Sequence, residues 1–156
     1  MKKLLLLFLA LPVLAFSQTT AIPDANFEQA LIDLGLDNVI DGGVLTASIS
    51  GVTDLYVDGQ NISDLTGIDD FTALTVLFCN NNQLTSLDVA QNTALEFLQC
   101  ADNQLTSLDV SQNTALEFLH CFYNQLTSIN VAQNTALTRL DCSGNTLTSL
   151  DISQNT

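Results

Sequence analysis

Four cysteines are the first residues of this sequence whose type and spacing suggest a chemistry. Cys79, Cys100, Cys121 and Cys142 recur at one constant spacing in a chain of 156 residues. Cysteines at a regular spacing can form disulfides or bind zinc. However, the side chains of a regular column project in parallel, which suits neither the disulfide geometry nor a tetrahedral metal. We therefore expect small buried hydrophobic side chains and no metal site, with disulfide pairing as the alternative.

No set of residues has the composition of a catalytic centre. His120 is the single histidine, and the positions before and after it at the cysteine spacing hold Gln99 and Asp141. The acidic pair Asp69 and Asp70 has no partner at a defined spacing. Catalysis needs a nucleophile or acid with a base within hydrogen-bond reach. We predict that the chain is not an enzyme and binds no cofactor, with direct catalysis as a minor hypothesis.

Residues 37–43 weakly resemble a calcium-binding loop. Asp37 and Asp41 precede two glycines, as in such loops. Val39 stands where the next oxygen ligand belongs, however, and no glutamate follows at the twelfth position. We interpret this stretch as an ordinary turn.

The elements that must position all these residues follow from an internal repeat. Residues 95–115 and 116–136 are identical at 15 of 21 positions. Residues 74–94 and 137–156 continue the same frame, and residues 52–73 form a looser copy that is longer by a single residue. Self-similarity at this period indicates a stacked array, because one short unit cannot bury its own apolar face. We expect about five coils over residues 52–156, the last one incomplete.

Each position of the repeat has a physical role. The alternation of Leu98 inward, Gln99 outward and Cys100 inward predicts a short strand with one face on the core. Strands of successive coils then align in parallel. One asparagine per coil is expected to form a ladder that satisfies buried backbone groups where the chain leaves the strand: Asn82, Asn103, Asn124 and Asn145. A repeat of 21 residues leaves no room for a full helix on the return path, the segment that leads from the end of one strand to the start of the next.

The repeats are preceded by two segments of different character. Residues 1–17 have a basic start, an apolar run and a small-residue end, which predicts a signal peptide cleaved before Gln18. Residues 18–51 are predicted to cap the array at its amino-terminal end. Their apolar spacing predicts a short helix that begins near Asp24 and ends at Gly35, with Phe27, Ala30, Leu31 and Leu34 on one face. Residues 44–49 are predicted to be extended.

The charge balance excludes several classes of partner. Without the leader, Arg139 is the one basic residue that faces 17 Asp and Glu. Such a chain repels phosphate backbones and anionic lipids, so we predict no nucleic-acid binding and no membrane insertion after signal cleavage. The acidity is interpreted mainly as a contribution to solubility, with attraction of divalent cations or a basic partner as the alternative.

The candidate binding residues are those expected to project from the outer face of the predicted sheet. The two most similar copies differ at three of these positions: Gln99 against His120, Ala101 against Phe122, and Asp102 against Tyr123. The face also gathers aromatic side chains, which commonly anchor interfaces. The alternative is that these rings only stack on each other and cover the sheet. The candidates are Phe78, Phe97, Gln99, Asp102, Phe118, His120, Phe122, Tyr123, Arg139 and Asp141.

The frame L-x-x-L-x-C-x-x-N-x-L-x-x-L resembles the leucine-rich-repeat family. Its short period resembles the secreted, internalin-like bacterial repeats, and the stretches IPDANFE and LTSLDVS resemble proteins exported by Gram-negative bacteria. The resemblance implies a leucine-rich-repeat solenoid with a parallel β-sheet on the concave face, a mostly irregular convex side with short turns, and a small helical cap. It also implies further repeats and a sorting domain for type IX secretion, so we expect this chain to be a fragment.

The resemblance and the aromatic face together favour one function. We expect a secreted or cell-surface, monomeric and non-enzymatic module that binds an extracellular protein or glycan through its concave face. The alternative is a targeting or spacer segment of a larger exported enzyme or adhesin.

Overall fold

The protein consists of a small capping unit followed by a regular stack of coils. The structure, a computed structural model, describes residues 18–155, and the predicted signal peptide lies outside them. In chain order the elements are β1 (Thr19–Ala21), α1 (Ala25–Asp33), β2 (Gly43–Leu45), α2 (Thr46–Ile49), β3 (Asp54–Tyr56), a 3₁₀ helix (Ile68–Asp70), β4 (Val76–Phe78), β5 (Phe97–Gln99), β6 (Phe118–His120) and β7 (Arg139–Asp141).

Strands β3 to β7 form one parallel sheet in chain order, as the repeat predicts. Equivalent residues of successive coils are paired, so that Leu77 lies beside Leu98 and Leu98 beside Leu119. The central residue of each strand from β3 to β6 is fully buried, whereas its two neighbours are at least partly exposed. This alternation directs one face of the sheet into the core and leaves the other, the concave face, open.

The return paths of the coils contain turns and almost no regular structure. Within residues 79–138 they contain no helix, and an isolated parallel bridge joins Asp88 to Asp109. Each return path nevertheless contributes buried apolar side chains, among them Leu87 and Val89 in one coil. Packing against the sheet therefore holds these segments without a helix, as the short period predicts.

The predicted asparagine ladder is confirmed on the inner side of the strand ends. Asn103 is buried, and its Oδ1 accepts a hydrogen bond from the Leu84 amide at 3.0 Å. Its Nδ2 donates to the carbonyl oxygens of Cys79 and Cys100 at 3.0 and 3.1 Å. Asn124 and Asn145 repeat this pattern one and two coils later. The ladder satisfies backbone groups that the sheet leaves without a partner.

A second asparagine ladder runs along the return paths and was not predicted. Asn113 is fully buried, and its Nδ2 donates to the carbonyl oxygens of Val89 and Asn92 at 2.9 Å each. Asn92 and Asn134 make the equivalent bonds in the neighbouring coils. The recurring Gln-Asn-Thr-Ala sequence contains the signal for this ladder, because the same amide returns once in every repeat.

The carboxylate of Asp24 joins the capping helix to the first coil. Its Oδ1 accepts hydrogen bonds from the amides of Asn26 and Phe27 and thereby caps α1. Its Oδ2 accepts from the amide and hydroxyl of Ser63 and from the amide of Asp64. One side chain therefore both starts the helix and fixes it against the repeats.

A buried glutamate organises the turn at residues 41–43. Glu28 is 1% exposed, and its Oε1 accepts the backbone amides of Asp41, Gly42 and Gly43 at 2.8–3.0 Å. Three amide donors on one oxygen provide the solvation that a buried carboxylate requires. The turn that weakly resembled a calcium loop is thus closed by a side chain of α1.

Two predictions within the cap were wrong in detail. Leu34 does not lie on the buried face of α1 but is 48% exposed, because the helix ends at Asp33 and Leu34 is its cap residue. The stretch 44–49 is extended only as far as Leu45, and Thr46–Ile49 form α2. The Thr46 amide still donates to the carbonyl oxygen of Gln18 at 3.0 Å, and the Ser50 amide then closes the helical turn by donating to Thr46 at 2.9 Å. Gly35 follows the cap residue and has a φ of 74°, the left-handed conformation expected of the glycine that stops the helix.

Candidate functional site

Outward side chains of the sheet form two columns on the concave face. The first residues of the strands form one column: Asp54, Val76, Phe97, Phe118 and Arg139. The third residues form the other: Tyr56, Phe78, Gln99, His120 and Asp141. Parallel pairing in register brings side chains that are one repeat apart in the sequence into lateral contact, so the sheet itself builds the site.

Five rings of the concave face are in continuous contact. Phe97 lies 6.0 Å from Phe118, Phe118 lies 4.1 Å from His120, and His120 lies 5.8 Å from Phe122, measured between ring centroids. The ring of Phe122 in turn meets that of Tyr123 edge to face at 5.6 Å. We call these five residues the aromatic row. Most of the row belongs to a single coil, the one that contains β6.

The structure places the other candidates around this row. The guanidinium carbon of Arg139 lies over the ring of Phe118, 5.2 Å from its centroid. The amide of Asp102 donates to the carbonyl oxygen of Phe122 at 3.0 Å. Asp141 is paired with His120 across the sheet. These three charged residues therefore border the aromatic row.

Phe78 belongs to a separate part of the face, and Gln99 lies between that part and the row, paired with Phe78 on one side and with His120 on the other. Phe78 is not in contact with the aromatic row but stacks edge to face with Tyr56, at a centroid distance of 5.2 Å. Gln99 accepts a hydrogen bond from Nδ2 of Asn80 at 3.0 Å, and the same amide donates to Asp58 at 2.8 Å. Tyr56, Asn80 and Asp58 were missing from the candidates, although the alternation of the repeat already directed them outward.

Tyr123 has an unusual backbone conformation. Its φ is 50°, in the left-handed region, and its equivalents in the other coils are also left-handed: Gly59, Asn81, Asp102 and Gly144. Glycine, asparagine and aspartate adopt this conformation readily, whereas a bulky side chain does so only with strain. Tyr123 is therefore the one residue at this position that does not suit its backbone.

Exposure divides the aromatic row in two. Tyr123 is 62% exposed, whereas Phe97, Phe118, His120 and Phe122 are only partly exposed. Stacking within the face thus covers part of each of these four rings, as the self-covering alternative expects. It does not cover Tyr123, which projects from the end of the row.

One position that was expected to face solvent is buried. Ala101 was interpreted as an outward, variable position, but its exposed fraction is 0%. Its amide donates to Oδ1 of Asn80 at 2.8 Å, and its methyl group is too short to rise above the larger residues at the same position in the neighbouring coils. Ala101 is thus covered by its neighbours, whereas Phe122, at the same position one coil later, is partly exposed.

The ionisable groups at the row have shifted pKa values. Partial burial lowers the pKa of His120, and Arg139 lowers it further, while Asp141 acts in the opposite direction. Hydrogen bonds from the side chain and amide of Ser143 lower the pKa of Asp141. At neutral pH the row therefore contains a neutral imidazole beside a charged carboxylate.

The cysteine column lies behind the sheet and is separate from this face. All four cysteines are free thiols, and Cys79, Cys100 and Cys121 are buried. Burial raises the pKa of Cys121 to about 12 and raises the pKa of Cys79 and Cys100 well above the usual thiol range. The thiol of Cys79 donates to the carbonyl oxygen of Gln99 at 3.4 Å. These are the properties of packing residues and not of nucleophiles.

The part of the chain that the structure describes contains neither of two other kinds of site. Among residues 18–155, no group of three or more His, Cys, Asp or Glu side chains is arranged to hold a metal ion. Within the same residues, no helix has the length and apolar character needed to cross a membrane.

Taken together, the parallel sheet, the asparagine ladder and the irregular return paths define a leucine-rich-repeat solenoid. No protein-family model matches the chain. Internalin J of Listeria monocytogenes serotype 4b (strain F2365) is 41% identical to it over 71 residues, which make up 46% of this chain and 8% of that protein.

Solved structures of internalins have the same fold. The functional domain of internalin J from Listeria monocytogenes, which includes a cysteine ladder, is 38% identical with a TM-score of 0.82. That match covers 92% of this chain and 33% of the internalin J structure. Internalin F, at 18% identity and a TM-score of 0.69 over 86% of this chain, shows likeness of fold alone. The chain thus resembles internalin-like repeat proteins and spans less than two thirds of the length of internalin J.

Proposed function

We propose that this chain is an extracellular, non-enzymatic binding module that recognises a protein, or alternatively a glycan, through the aromatic row. The observation that carries the proposal is Tyr123, an exposed ring held in a left-handed conformation at a position that glycine, asparagine or aspartate fills in the other coils. Such strain costs about 1–3 kcal/mol and concentrates at functional sites. This strain at an exposed ring supports a role for Tyr123 in binding.

The arrangement of the rings supports a contact surface. Phe118, His120 and Phe122 support one another laterally and lose little mobility when a partner covers them. Rigid aromatic side chains of this kind supply most of the binding energy in many interfaces. Their edges remain accessible beside Tyr123, which would be the first ring to meet a partner.

The surroundings of His120 support a role in packing. Its ring lies between those of Phe118 and Phe122, and among residues 18–155 no hydroxyl or thiol group is hydrogen-bonded to it. A general base is normally within hydrogen-bond reach of the group that it activates. The geometry therefore favours binding over catalysis.

The similarity to internalin J supports a functional role for the repeats themselves. The region similar to this chain is part of what is described as the functional domain of internalin J. This favours a binding module over a passive spacer. An extracellular location is supported by the predicted signal peptide and by the internalin-like repeats.

The proposal is tested by removing the two rings at the Tyr123 end of the row. The purified chain and its Phe122→Ser/Tyr123→Ser variant are compared on protein and glycan arrays, and their melting temperatures are measured. We expect ligands of the wild type to be lost with no fall in melting temperature. A fall in stability with unchanged ligands would show that the row only covers the sheet.

Tyr56→Ser provides a matched control. It removes a ring that is 53% exposed on the same face but contacts Phe78 instead of the aromatic row. Ligand binding should survive this change. Equal loss of ligands in both variants would contradict the assignment of binding to the row.

A further inference from the structure

We infer that the partner presents a basic peptide segment to the aromatic row, with a lysine or arginine side chain stacked on Tyr123 beside Asp102. This inference rests on the proposed function and specifies the chemistry of the partner. It follows from three observations: the charge of the chain, the position of Arg139, and the carboxylates on the two coils that flank the row.

The negative charge of the chain favours a partner of positive charge. Within residues 18–155, Arg139 is the only Lys or Arg, and all 17 Asp and Glu lie in this range. A potential of one sign over the whole surface attracts opposite charge and repels like charge over distances of about 10 Å at moderate salt. An acidic peptide or an anionic glycan would therefore be repelled before contact.

Arg139 shows that the row accommodates a guanidinium group. Its Cζ lies 5.2 Å from the centroid of the Phe118 ring, within the usual range of a cation–π contact. Because Arg139 already occupies Phe118, a second cation would be repelled from that end. The unoccupied end is Tyr123, whose more electron-rich ring is 62% exposed.

Carboxylates stand on either side of the rings. Asp102 precedes Tyr123 at the same position of the neighbouring coil, and its amide is hydrogen-bonded to the carbonyl oxygen of Phe122 at 3.0 Å. Asp141 is paired with His120 on the opposite side. Among residues 18–155 neither carboxylate forms an ion pair, and Asp102 is exposed. A cation above Tyr123 would have an aromatic face beneath it and the exposed carboxylate of Asp102 on the preceding coil.

Two isosteric substitutions distinguish a local contact with the partner from attraction by the overall charge of the chain. Asp102→Asn removes one charge from the row, and the fold tolerates asparagine there because Asn81 holds the same left-handed position one coil earlier. Asp109→Asn removes one charge from the convex side. There Asn130 already fills the equivalent position one coil later, and its Oδ1 accepts the amide of Ala132 just as Asp109 accepts that of Ser111.

The test is selection from a random peptide library displayed on phage, with the full chain as bait and the Phe122→Ser/Tyr123→Ser variant for counter-selection. We expect the recovered peptides to be rich in lysine and arginine and to bind more weakly as salt rises. Asp102→Asn should weaken the recovered peptides about two- to fivefold. Tyr123→Ser should weaken them about tenfold, and Asp109→Asn should leave them unchanged.

Three results would overturn the inference in different ways. Peptides that depend on the row but lack basic residues, or a neutral glycan as ligand, would reject the basic partner and leave the proposed function intact. Basic peptides that Asp102→Asn and Asp109→Asn weaken equally would show attraction by bulk charge without a site. Recovery of no row-dependent peptide and no array ligand would reject both proposals.

Discussion

The ring of Tyr123 rests on Gly144, the residue at the same position one coil further along the chain. A Cβ atom on Gly144 would lie 2.7 Å from Cε1 of Tyr123 and closer still to Cδ1. The glycine thus provides the space that the ring occupies, and both residues have left-handed backbones. Tyr123 is thereby held at the end of the aromatic row by the absence of a side chain in its neighbour.

Gly144→Ala should therefore displace Tyr123 as well as strain the backbone. A left-handed alanine costs about 1–2 kcal/mol, and the overlap with the ring should add about 1 kcal/mol or more. Gly59→Ala is the matched control, because Gly59 has a φ of 67° and a Cβ there would have no other atom within 4 Å. Unfolding in urea should show a larger loss in the free energy of unfolding for Gly144→Ala than for Gly59→Ala. In a Tyr56→Phe background, the fluorescence of Tyr123 should change with Gly144→Ala and not with Gly59→Ala. Equal losses would mean that the ring moves aside freely.

The second asparagine ladder should tolerate no charge. Asn113→Asp removes both hydrogen bonds that Nδ2 donates to buried carbonyl oxygens and places an acidic group against them. We expect a loss of at least about 3 kcal/mol in the free energy of unfolding, measured in urea. Asn130→Asp, on the exposed convex side where Asp109 stands one coil earlier, should change it by less than about 0.5 kcal/mol. Comparable losses at both positions would show that added negative charge alone destabilises the fold.

Asp24 should make the attachment of the cap dependent on pH. Burial raises the pKa of Asp24, but hydrogen bonds from Ser63, Phe27 and Asn26 more than offset this, so that the pKa lies below its usual value. Because the folded pKa is lower than the unfolded one, the charged form stabilises the fold at neutral pH. This stabilisation is lost as the pH falls through the folded pKa.

Asp24→Asn should accordingly cost about 1–2 kcal/mol at neutral pH, since an amide nitrogen cannot accept the hydrogen bonds from Ser63 and Asp64. The difference from the wild type should shrink as the pH falls below the usual range of a carboxyl group. Asp33→Asn, at the end of the same helix, controls for the removal of one charge. A difference from the wild type that stays constant with pH would contradict the assigned role of Asp24.

The thiols should differ in reactivity along the column. Burial raises the pKa of all four thiols, but Cys79, Cys100 and Cys121 are buried whereas Cys142 is partly exposed. Iodoacetamide at mildly alkaline pH should therefore modify Cys142 first, and all four thiols should react only after denaturation. Mass spectrometry of the native and denatured chain measures both steps. A native mass lower by two or four protons would instead indicate disulfides.

The repeat predicted the sheet because its identities lie at the positions that build it. Leu98 and Leu119 pair in register because they recur one period apart, and Asn103 recurs with them. The aromatic face followed from the same alternation. What the repeat could not show is which rings touch, because ring contacts depend on side-chain rotamers that spacing does not determine.

The cap was less predictable because it does not repeat. Nothing in the spacing of Glu28 indicates that its carboxylate is buried, since its partners at residues 41–43 reach it only through the fold of the turn. The burial of Ala101 could not be predicted from the sequence for a related reason. Its position faces outward, and only the size of its neighbours decides whether solvent reaches it.

The hydrogen bonds that the two asparagine ladders make between coils all point in one direction along the chain. Asn103 accepts the amide of Leu84 and donates to Cys79, and Asn113 donates to Val89 and Asn92, so each amide serves the coil before its own. Through these two ladders, the buried backbone groups of a coil are therefore satisfied by its successor. Loss of a later coil leaves buried polar groups unpaired in the earlier one, which couples the coils cooperatively and gives the stack an intrinsic polarity.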